Sequence, residues 1–314
     1  MSKIQILLAT YNGSRHLEAF LESLLSQGFR DWSLLVRDDG STDSTPALLE
    51  SWRSSLRDRM QILPDSNQCN LGVVGNFSRL LTTSTAPYVM FADQDDIWHP
   101  DKISLTLNAM SIREAEVGTN IPILAHTDLT LVDEQLQVVA PSYWRHQGIF
   151  PEKGHSLGHM MVENIASGCT SMMNRCLADL AGEIPREAGF QDWWISLVAA
   201  AFGEIVSVPV QTISWRRHAA NSSDITKLSE VFRQTLIAAP TMRRHLASLL
   251  QASRPRVRVF LSRYRDHLTP SQIASLEAFL RLPELGFFQR RLAVLQHHLF
   301  FTSWSRTAGL FLFL

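Results

Sequence analysis

Residues 88–96 read Tyr-Val-Met-Phe-Ala-Asp-Gln-Asp-Asp, so an apolar run ends on three carboxylates. The apolar part, 87–92, predicts a buried β-strand, which Asp93, Asp95 and Asp96 follow directly. Carboxylates this close repel one another unless water, a helix cap or a cation neutralises them. Mg²⁺ or Mn²⁺ binds one or two carboxylates together with substrate phosphates, and neutralises the charge on a departing diphosphate. The alternative is a solvated acidic turn that caps the next helix.

Two earlier apolar runs end in the same manner. The run at 4–9 leads into Thr-Tyr-Asn-Gly, and the run at 32–37 leads into Asp-Asp-Gly-Ser-Thr-Asp. Stretches with helical spacing separate the runs, the first capped by Ser14. Strand alternating with helix predicts a parallel sheet with helices on both faces, and such sheets bind ligands beyond the carboxyl ends of their strands. The three polar strand ends therefore predict one site.

The polar residues at the first two strand ends suit a nucleoside. One carboxylate of the pair Asp38 and Asp39 can accept the imide N–H of a pyrimidine, and the other can hold the ribose. Turn and capping chemistry at Gly40 and Ser41 explains the same residues without a ligand. The segment 10–12 is open to the same two interpretations.

A third kind of signal is Phe-Gln-Asp-Trp-Trp at 190–194. Transfer of a sugar with inversion needs a base that takes the proton of the acceptor hydroxyl, and Asp192 can act in this way. Trp193 and Trp194 can supply an apolar wall for a sugar ring. The alternative is that Asp192 is the N-cap of the helix that follows, and both roles can hold at once.

The later half of the chain has a different pattern. Residues 123–126 and 129–132 read as strands with a hairpin partner at 136–140, and 164–173 and 205–215 are also strand-like. The intervening 146–158 is polar and is a candidate for acceptor binding. Trp-Arg-Arg-His at 215–218 could bring a metal ligand, His218, and arginines for a diphosphate, or could simply be a surface segment.

Bulk properties narrow the class of protein. Of 314 residues, 45% are hydrophobic and 19% are charged, which is ordinary for a globular protein with a sizeable core. The three cysteines (Cys69, Cys169 and Cys176) are odd in number and lack metal-finger spacing, which favours a reducing compartment. The N-terminus is a poor signal peptide, and no window approaches the ~20 apolar residues of a membrane span. We therefore expect a cytoplasmic protein.

Charge is divided unevenly along the chain. From Ile225 onward there are 13 Lys/Arg and 4 Asp/Glu, against 16 and 26 in residues 1–224. Such a basic segment favours an anionic surface. The apolar residues at 299–301, 304 and 310–314 predict peripheral contact with a membrane interface. Packing on the domain, or a dimer contact, is an equal alternative.

The order of the motifs resembles that of family-2 glycosyltransferases of GT-A fold. ATYNG, DDGSTD, NLG-x-x-x-N and DQDDIW-x-P-x-K are similar to the nucleotide-binding half of that family. The segments SGCT with Asn174-Arg175, then DWW, then WRRH with Asn221, resemble its rhamnosyltransferase-like branch. The resemblance covers about residues 3 to 222. The motifs are specific jointly rather than singly.

The resemblance implies an α/β chain with a mostly parallel central sheet flanked by helices. It places a GT-A domain at 1–224, with a nucleotide-binding half at 1–98 and an acceptor-binding, catalytic half at 99–224. Residues 225–314 would form a helical, basic C-terminal extension.

The motifs and the resemblance also predict the site residues. Thr10, Tyr11, Asn12, Asp38, Asp39, Asp93, Gln94 and Asp95 would bind the donor; Asp95, Asp96 and His218 would bind Mg²⁺ or Mn²⁺; Gly168, Cys169, Trp193 and Trp194 would bind the acceptor; and Asp192 would be the base. Gln191 is a departure, because many family members have Glu there.

The implied reaction is inverting, metal-dependent transfer to a saccharide hydroxyl during synthesis of a surface polysaccharide of O-antigen or capsule type. dTDP-rhamnose is the first choice of donor and a UDP-hexose the second. The acceptor would be a saccharide, free or lipid-linked. An inactive sugar-nucleotide-binding scaffold is the alternative from another class, against which the intact carboxylates argue.

Three further classes fit poorly. A nucleotidyltransferase would need a Gly-rich basic loop after the first strand, and a dinucleotide oxidoreductase would need G-x-G-x-x-G; neither is present. A nucleic-acid binder would not confine its basic surplus to the tail.

Overall fold

The computed structural model describes residues 2–64, 70–218 and 239–313. Its strands are β1 (Ile4–Thr10), β2 (Trp32–Asp38), β3 (Met60–Ile62), β4 (Tyr88–Asp93), β5 (Ile97–Trp98), β6 (Ile123–Val132), β7 (Val138–Ala140), β8 (Ser171–Asn174) and β9 (Glu204–Arg216). Its α-helices are α1 (Leu17–Leu25), α2 (Thr45–Leu56), α3 (Gly72–Thr83), α4 (Lys102–Val117), α5 (Tyr143–Gln147), α6 (Leu157–Val162), α7 (Arg175–Ala181), α8 (Gln191–Phe202), α9 (Ala239–Tyr264), α10 (Pro270–Arg281), α11 (Phe287–Gln296) and α12 (Trp304–Phe313).

The N-terminal half is the parallel α/β arrangement that the alternating pattern predicted. Strands β3, β2, β1 and β4 lie side by side in that order and are all parallel. Most of their apolar side chains are buried, as expected for strands covered on both faces. One local expectation was wrong: α1 begins at Leu17 after His16, because the backbone N–H of Ser14 donates to Asp43 and Ser14 caps no helix.

The second half of the sheet is mixed. Strand β8 is antiparallel to both β4 and β6, whereas β6 is parallel to β9. The predicted hairpin is confirmed as the antiparallel pair β6 and β7. The two strands predicted at 123–126 and 129–132 are one continuous strand, β6.

The strand predicted at 164–173 is shorter than expected. Residues Gly168–Thr170 form a 3₁₀ turn, and β8 begins only at Ser171. The carbonyl of Ser167 accepts hydrogen bonds from the hydroxyls of Thr170 (2.8 Å) and Ser171 (2.8 Å), which hold the chain in this turn.

The chain forms two compact units. The first comprises Met1–Tyr143, Ala166–Arg186 and Phe190–Ala220, and contains the whole sheet. The second comprises Trp144–Ile165, Glu187–Gly189 and Asn221–Leu314. The polar segment at 146–158 belongs to the second unit and is partly helical. The boundary near residue 224 stays a prediction.

The second unit is helical in its described part and has its own core. Apolar side chains of α9, α10 and α11, together with the segment after α11, are buried in it: Val257, Phe260, Leu276, Phe279, Val294 and Leu299. The carboxylate of Glu163 is buried against the guanidinium of Arg306, and it also accepts hydrogen bonds from the backbone N–H (2.8 Å) and hydroxyl (2.7 Å) of Thr302. None of the described helices combines the length and the apolar character needed to cross a bilayer.

Candidate active site

The carboxyl ends of β1, β2 and β4 meet at one edge of the sheet. Thr10 pairs with Asp38 across β1 and β2, and Ala9 pairs with Asp93 across β1 and β4. The three polar motifs that follow these strands therefore lie together, as the sequence predicted.

Side chains bond the three motifs to one another. The backbone N–H of Asn12 donates to the hydroxyl of Ser41 (2.8 Å), and the amide oxygen of Asn12 accepts from the N–H of Thr42 (2.8 Å). Gln94 pairs with the backbone of Tyr11 in both directions, each at 3.0 Å. These bonds fix the spacing of the loops.

Gly13 leaves the space that the Gln94 side chain occupies. A Cβ at position 13 would lie 2.0 Å from the side-chain oxygen of Gln94, closer than real atoms approach. A larger residue at position 13 would force the end of the Gln94 side chain to move away from its place beside Tyr11.

Asp38 is held by its neighbours at the strand end. One of its oxygens accepts from the hydroxyls of Thr10 (2.8 Å) and Ser41 (2.6 Å), and the other accepts from the N–H of Ser41 (2.8 Å). Thr10 is itself buried. The two residues form a fixed polar floor, and their contact with a nucleoside stays a prediction.

Asp39 faces the interior. It is buried in an ion pair with Arg37 (2.5 Å), and it accepts from the N–H groups of Leu71 and Gly72, each at 2.8 Å. Asp39 thus anchors the chain at the start of α3. Sequence reasoning missed this role, since two adjacent acids look alike; the predicted nucleoside contact of Asp39 stays a prediction.

The acidic loop after β4 contains two differently placed groups of side chains. In the first, the ligand atoms of Asp93, Asp96 and Cys169 lie within 4.8 Å of one another. Burial, and then the charges of Asp95 and Asp192, raise the pKa of Asp93 to about 7. Burial, followed by the charges of Asp95 and Asp93, raises the pKa of Asp96 well above its ordinary value.

Lys102 is a positively charged side chain near Asp96 and Cys169. It is wholly buried, with its ammonium 4.7 Å from the centroid of the Trp98 ring. Burial lowers the pKa of Lys102 to about 8, although Cys169 and Asp96 act in the opposite direction. Apart from the place of Lys102 in the motif DQDDIW-x-P-x-K, no sequence signal pointed to it.

In the second group, Asp95 lies against His218. The imidazole Nε2 and a carboxylate oxygen of Asp95 are 2.7 Å apart, and both side chains are partly exposed. The guanidinium of Arg216 donates to the backbone oxygen of Asp95 (3.1 Å). The structure therefore brings together two of the three predicted metal ligands, Asp95 and His218. Asn221 lies outside the described residues.

His16 is a neighbour of this group that sequence reasoning missed. Its ring centroid lies 5.2 Å from that of His218. Burial, and then the charges of Arg216 and His218, lower the pKa of His16, so a neutral imidazole is favoured beside the pair. A single histidine before a helix carries no signal that could have found it.

Asp192 lies in the first turn of α8, one residue beyond the helix start, and not at its N-cap. One of its oxygens accepts from the N–H of Trp193 (2.8 Å), and the other accepts from the N–H of Gly168 (3.2 Å). A Cβ at Gly168 would lie 3.4 Å from that of Asp192, an ordinary van der Waals contact, so Gly168 and Asp192 are close neighbours. Asp192 is near enough to raise the pKa of Asp93, which brings the predicted base to the acidic loop.

Two of the four predicted acceptor residues, Trp194 and Cys169, have buried side chains. Trp194 is wholly buried, and its indole N–H donates to the carbonyl of Ala181 (3.2 Å). Cys169 is buried against Asp93 and Asp96, and burial raises the pKa of its thiol. Both side chains are therefore buried, and their predicted contact with an acceptor stays a prediction. Gly168 is buried beside Asp192, and Trp193 is half-buried.

The donor atoms fit a divalent cation. Neither carboxylate oxygen of the buried Asp96 has a hydrogen-bond partner of ordinary geometry among the described residues, although Cys169 and the backbone of Arg216 lie close enough to lower its pKa. A protonated thiol is a poor ligand for Mg²⁺ or Mn²⁺, whereas carboxylates suit both. The carboxylate and imidazole of Asp95 and His218 add a partly exposed pair of donors.

Comparison with solved structures identifies the fold. Over 99% of this chain and 89% of the other, the structure is similar to S. aureus TarS 1–349 in complex with UDP-GlcNAc, with a TM-score of 0.54 at 15% identity. It is also similar to the mannosyltransferase PcManGT from Pyrobaculum calidifontis in complex with GDP-Man and Mn²⁺, with a TM-score of 0.51 at 16% identity over 95% and 85% of the two chains. This likeness confirms the predicted GT-A fold.

The family follows from the sequence. Residues 5–175, more than half of the chain, match the family described as "Glycosyl transferase family 2". The protein belongs to glycosyl transferase family 2.

Curated relatives match over about a third of the chain. The dTDP-rhamnosyl transferase RfbG of Shigella flexneri is 36% identical over 111 residues, which cover 34% of this chain and 38% of RfbG. The UDP-Glc:alpha-D-GlcNAc-diphosphoundecaprenol beta-1,3-glucosyltransferase WfgD of Escherichia coli is 29% identical over 107 residues, which cover 34% of this chain and 40% of WfgD. The matches thus span well under half the length of either relative.

Proposed function

We propose that this protein is an inverting, metal-dependent glycosyltransferase that moves one sugar from a nucleotide-diphosphate donor to a hydroxyl of a saccharide. The observation that supports this most strongly is the approach of Asp192 to Asp93. It brings a carboxylate suited to general-base catalysis beside the acidic loop of the predicted donor site.

Asp192 would act on the acceptor. Its carboxylate takes the proton of the attacking hydroxyl while the hydroxyl oxygen bonds to the anomeric carbon. The bond from that carbon to the diphosphate oxygen breaks, and the nucleoside diphosphate leaves with the bonding electrons. A single displacement of this kind inverts the anomeric centre. The N–H groups of Gly168 and Trp193 hold the carboxylate in its direction.

Asp95 and His218, with Asp96 behind them, would hold Mg²⁺ or Mn²⁺. A divalent cation bound there neutralises charge on the departing diphosphate. Thr10, Asp38 and the segment from Tyr11 to Gly13 would position the nucleoside, because their hydrogen bonds already fix these loops.

For the donor we propose dTDP-rhamnose first, because the named activity of RfbG is dTDP-rhamnosyl transfer. A UDP-hexose is the second candidate, because WfgD is named for UDP-glucose. A catalytically inactive scaffold is the alternative from another class.

The acceptor would be a saccharide on a lipid carrier, as in the name of WfgD, during synthesis of a surface polysaccharide. The protein would then act in the cytoplasm, at the inner face of the cell membrane. Residues 1–224 would then be the catalytic domain, with 225–314 as its extension.

A donor panel tests the proposal. Thermal unfolding is measured with dTDP, UDP, GDP and their sugars, with Mn²⁺ or Mg²⁺ and again with chelator. A ligand at a hundredfold excess over its dissociation constant stabilises by about 2.7 kcal/mol. We expect the largest metal-dependent shift with dTDP-rhamnose, and its loss in Asp95→Asn. A largest shift with a UDP-hexose would select the second donor, and no shift with any nucleotide would favour the scaffold.

A further inference from the structure

Helix α11 presents an apolar stripe to solvent. Phe288, Leu292 and Leu295 follow one another at helical spacing and are exposed, Phe288 to 83%. Ala293 and Val294 are buried on the opposite side. A helix whose other side is already packed has no need of this second apolar stripe for folding.

Helix α12 continues the exposed apolar surface. Trp304 (85% exposed) and Leu312 share its outer side. The guanidinium of Arg291 lies 3.4 Å from the centroid of the Phe287 ring and donates to the backbone oxygen of Leu312 (3.1 Å). The start of α11 and the end of α12 are therefore adjacent. We call these exposed residues the aromatic face: Phe287, Phe288, Leu292, Leu295, Trp304 and Leu312.

Basic residues outnumber acidic ones around the aromatic face, although the exposed Glu284 lies three residues before α11. Residues 285–314 contain three arginines, two histidines and no Asp or Glu. Arg306 is buried with Glu163, and the half-buried Arg290 donates to the backbone carbonyl of Leu285 (2.8 Å). Arg291 is the α11 arginine that lies against the aromatic face. The exposed Arg281 ends the preceding helix, α10.

We propose that the aromatic face docks onto an anionic lipid bilayer. Aromatic and aliphatic side chains enter the interface between head groups and acyl chains, while arginines remain with the lipid phosphates. A second copy of the chain fits less well, because a two-fold interface would bring the same arginines together without an acidic partner. The role of this docking, which is to bring the enzyme to a lipid-linked acceptor, rests on the proposed function. The docking itself does not.

Vesicle flotation of the full chain tests the docking. The probes are vesicles of phosphatidylglycerol with phosphatidylethanolamine, and vesicles of phosphatidylcholine alone. We expect binding to the anionic vesicles, and weaker binding when salt rises from about 0.1 M to about 1 M, where charges are screened within about 3 Å. Phe288→Ser with Leu292→Ser should weaken binding by about tenfold or more for each side chain.

The matched control removes exposed apolar side chains from the first unit. Ile112→Ser with Val138→Ser should float as the unchanged protein does, because both side chains are exposed but lie outside the aromatic face. Each variant is also tested for its thermal shift with nucleotide sugar. If the α11 variant no longer floats but keeps its thermal shift with nucleotide sugar, membrane docking is separate from the proposed catalysis.

Three results would overturn the docking. The first is that the unchanged protein fails to float with anionic vesicles. The second is that the α11 variant floats as well as its control. The third is a dimer, seen by sedimentation, that the α11 variant dissociates while no vesicle binds. A missing nucleotide shift alongside normal flotation would count against the proposed function alone.

Discussion

Neighbouring acidic residues of this chain have different surroundings, and those surroundings decide what each can do. Asp38 lies at the site edge, whereas Asp39 is buried against Arg37. Asp95 meets His218 at the surface, whereas Asp96 is wholly buried near Lys102. In each pair, a one-residue step in sequence therefore separates a partly exposed carboxylate from a buried one.

Asp192→Asn should remove the base while keeping its shape. We expect the turnover number to fall by about two to four orders of magnitude, because the amide cannot take the acceptor proton. The thermal shift with donor and metal should stay nearly unchanged. Steady-state kinetics and thermal unfolding measure the two quantities.

Asp179→Asn, which changes an exposed carboxylate on α7, is the control for this substitution and should keep full turnover. If Asp192→Asn weakened donor binding as much as turnover, Asp192 would be a structural residue.

Gly13→Ala should separate two bonded motifs. The new Cβ would collide with the Gln94 side chain, and the pairing of Gln94 with Tyr11 would break. We expect a loss of about 1 kcal/mol of unfolding free energy, because the flexible end of Gln94 must move and loses its hydrogen bonds to Tyr11. Denaturant unfolding measures it.

Adding Gln94→Ala to Gly13→Ala removes the collision and should recover part of that stability, although the bonds to Tyr11 stay absent. An equal loss in the single and double variants would mean that Gln94 is not what requires glycine at position 13.

At the scale of elements, the start of helix α2 depends on a side chain outside the helix. Asp43 accepts from the N–H (2.9 Å) and hydroxyl (2.5 Å) of Thr45, and from the N–H of Ser14 (3.1 Å). Its partial burial acts to raise its pKa. The hydrogen bonds from Thr45 and Ser14 outweigh this and lower the pKa of Asp43 to about 2.

The sign of the pH effect follows from this lowered pKa. Ionised Asp43 stabilises the folded chain above pH 3.8, its ordinary pKa, and the contribution is lost as the pH falls towards 2. Asp43→Asn should therefore cost stability at pH 6 and progressively less below pH 4. The cost should be about 1 kcal/mol, because solvent screens this exposed group. Urea unfolding at several pH values measures it. The exposed Asp31→Asn is the control, and a cost independent of pH would contradict the account.

The sequence predicted some elements well and others poorly, for physical reasons. Strands β1, β2 and β4 were found because buried parallel strands are continuous apolar runs bounded by polar loops. Strand β8 was misjudged because hydroxyl bonds to the carbonyl of Ser167 fold its first half into a turn. Whether such a segment forms a turn or a strand depends on local hydrogen bonds, which the hydrophobic pattern of the sequence does not reveal.

The sequence likewise predicted part of the candidate site and not the rest. Strand ends predicted which loops would meet, because parallel strands in register bring their carboxyl ends to one edge. Sequence could not show that Trp194 is turned inward, since the adjacent Trp193 has the same chemistry and the burial of α8 depends on its neighbours. The buried Lys102 and the histidine His16 reach the site only through tertiary packing.

At the scale of the whole molecule, the second unit is assembled from distant parts of the chain. The buried pair of Glu163 and Arg306 joins the segment after α6 to the start of α12, and Arg306 also donates to the carbonyl of Gln147. Arg306→Met leaves a buried carboxylate without its cation. We expect a loss of about 3–5 kcal/mol in unfolding free energy, measured by denaturant unfolding.

Adding Glu163→Leu to Arg306→Met removes the stranded charge and should recover part of this loss. The exposed pair of Arg265 and Glu277 (3.0 Å) supplies the control, because Arg265→Met should cost about 1 kcal/mol or less. Equal costs for Arg306→Met and Arg265→Met would show that burial of the pair contributes nothing.

The buried position of Asp39 affects how natural selection acts on this residue. A chain with Asn at position 39 would lose part of the attachment of Leu71 and Gly72 and would strand the buried Arg37. Cellular proteases remove chains that unfold more often. Natural selection would then act on this residue through how much protein survives in the cell, whichever sugar the environment makes available.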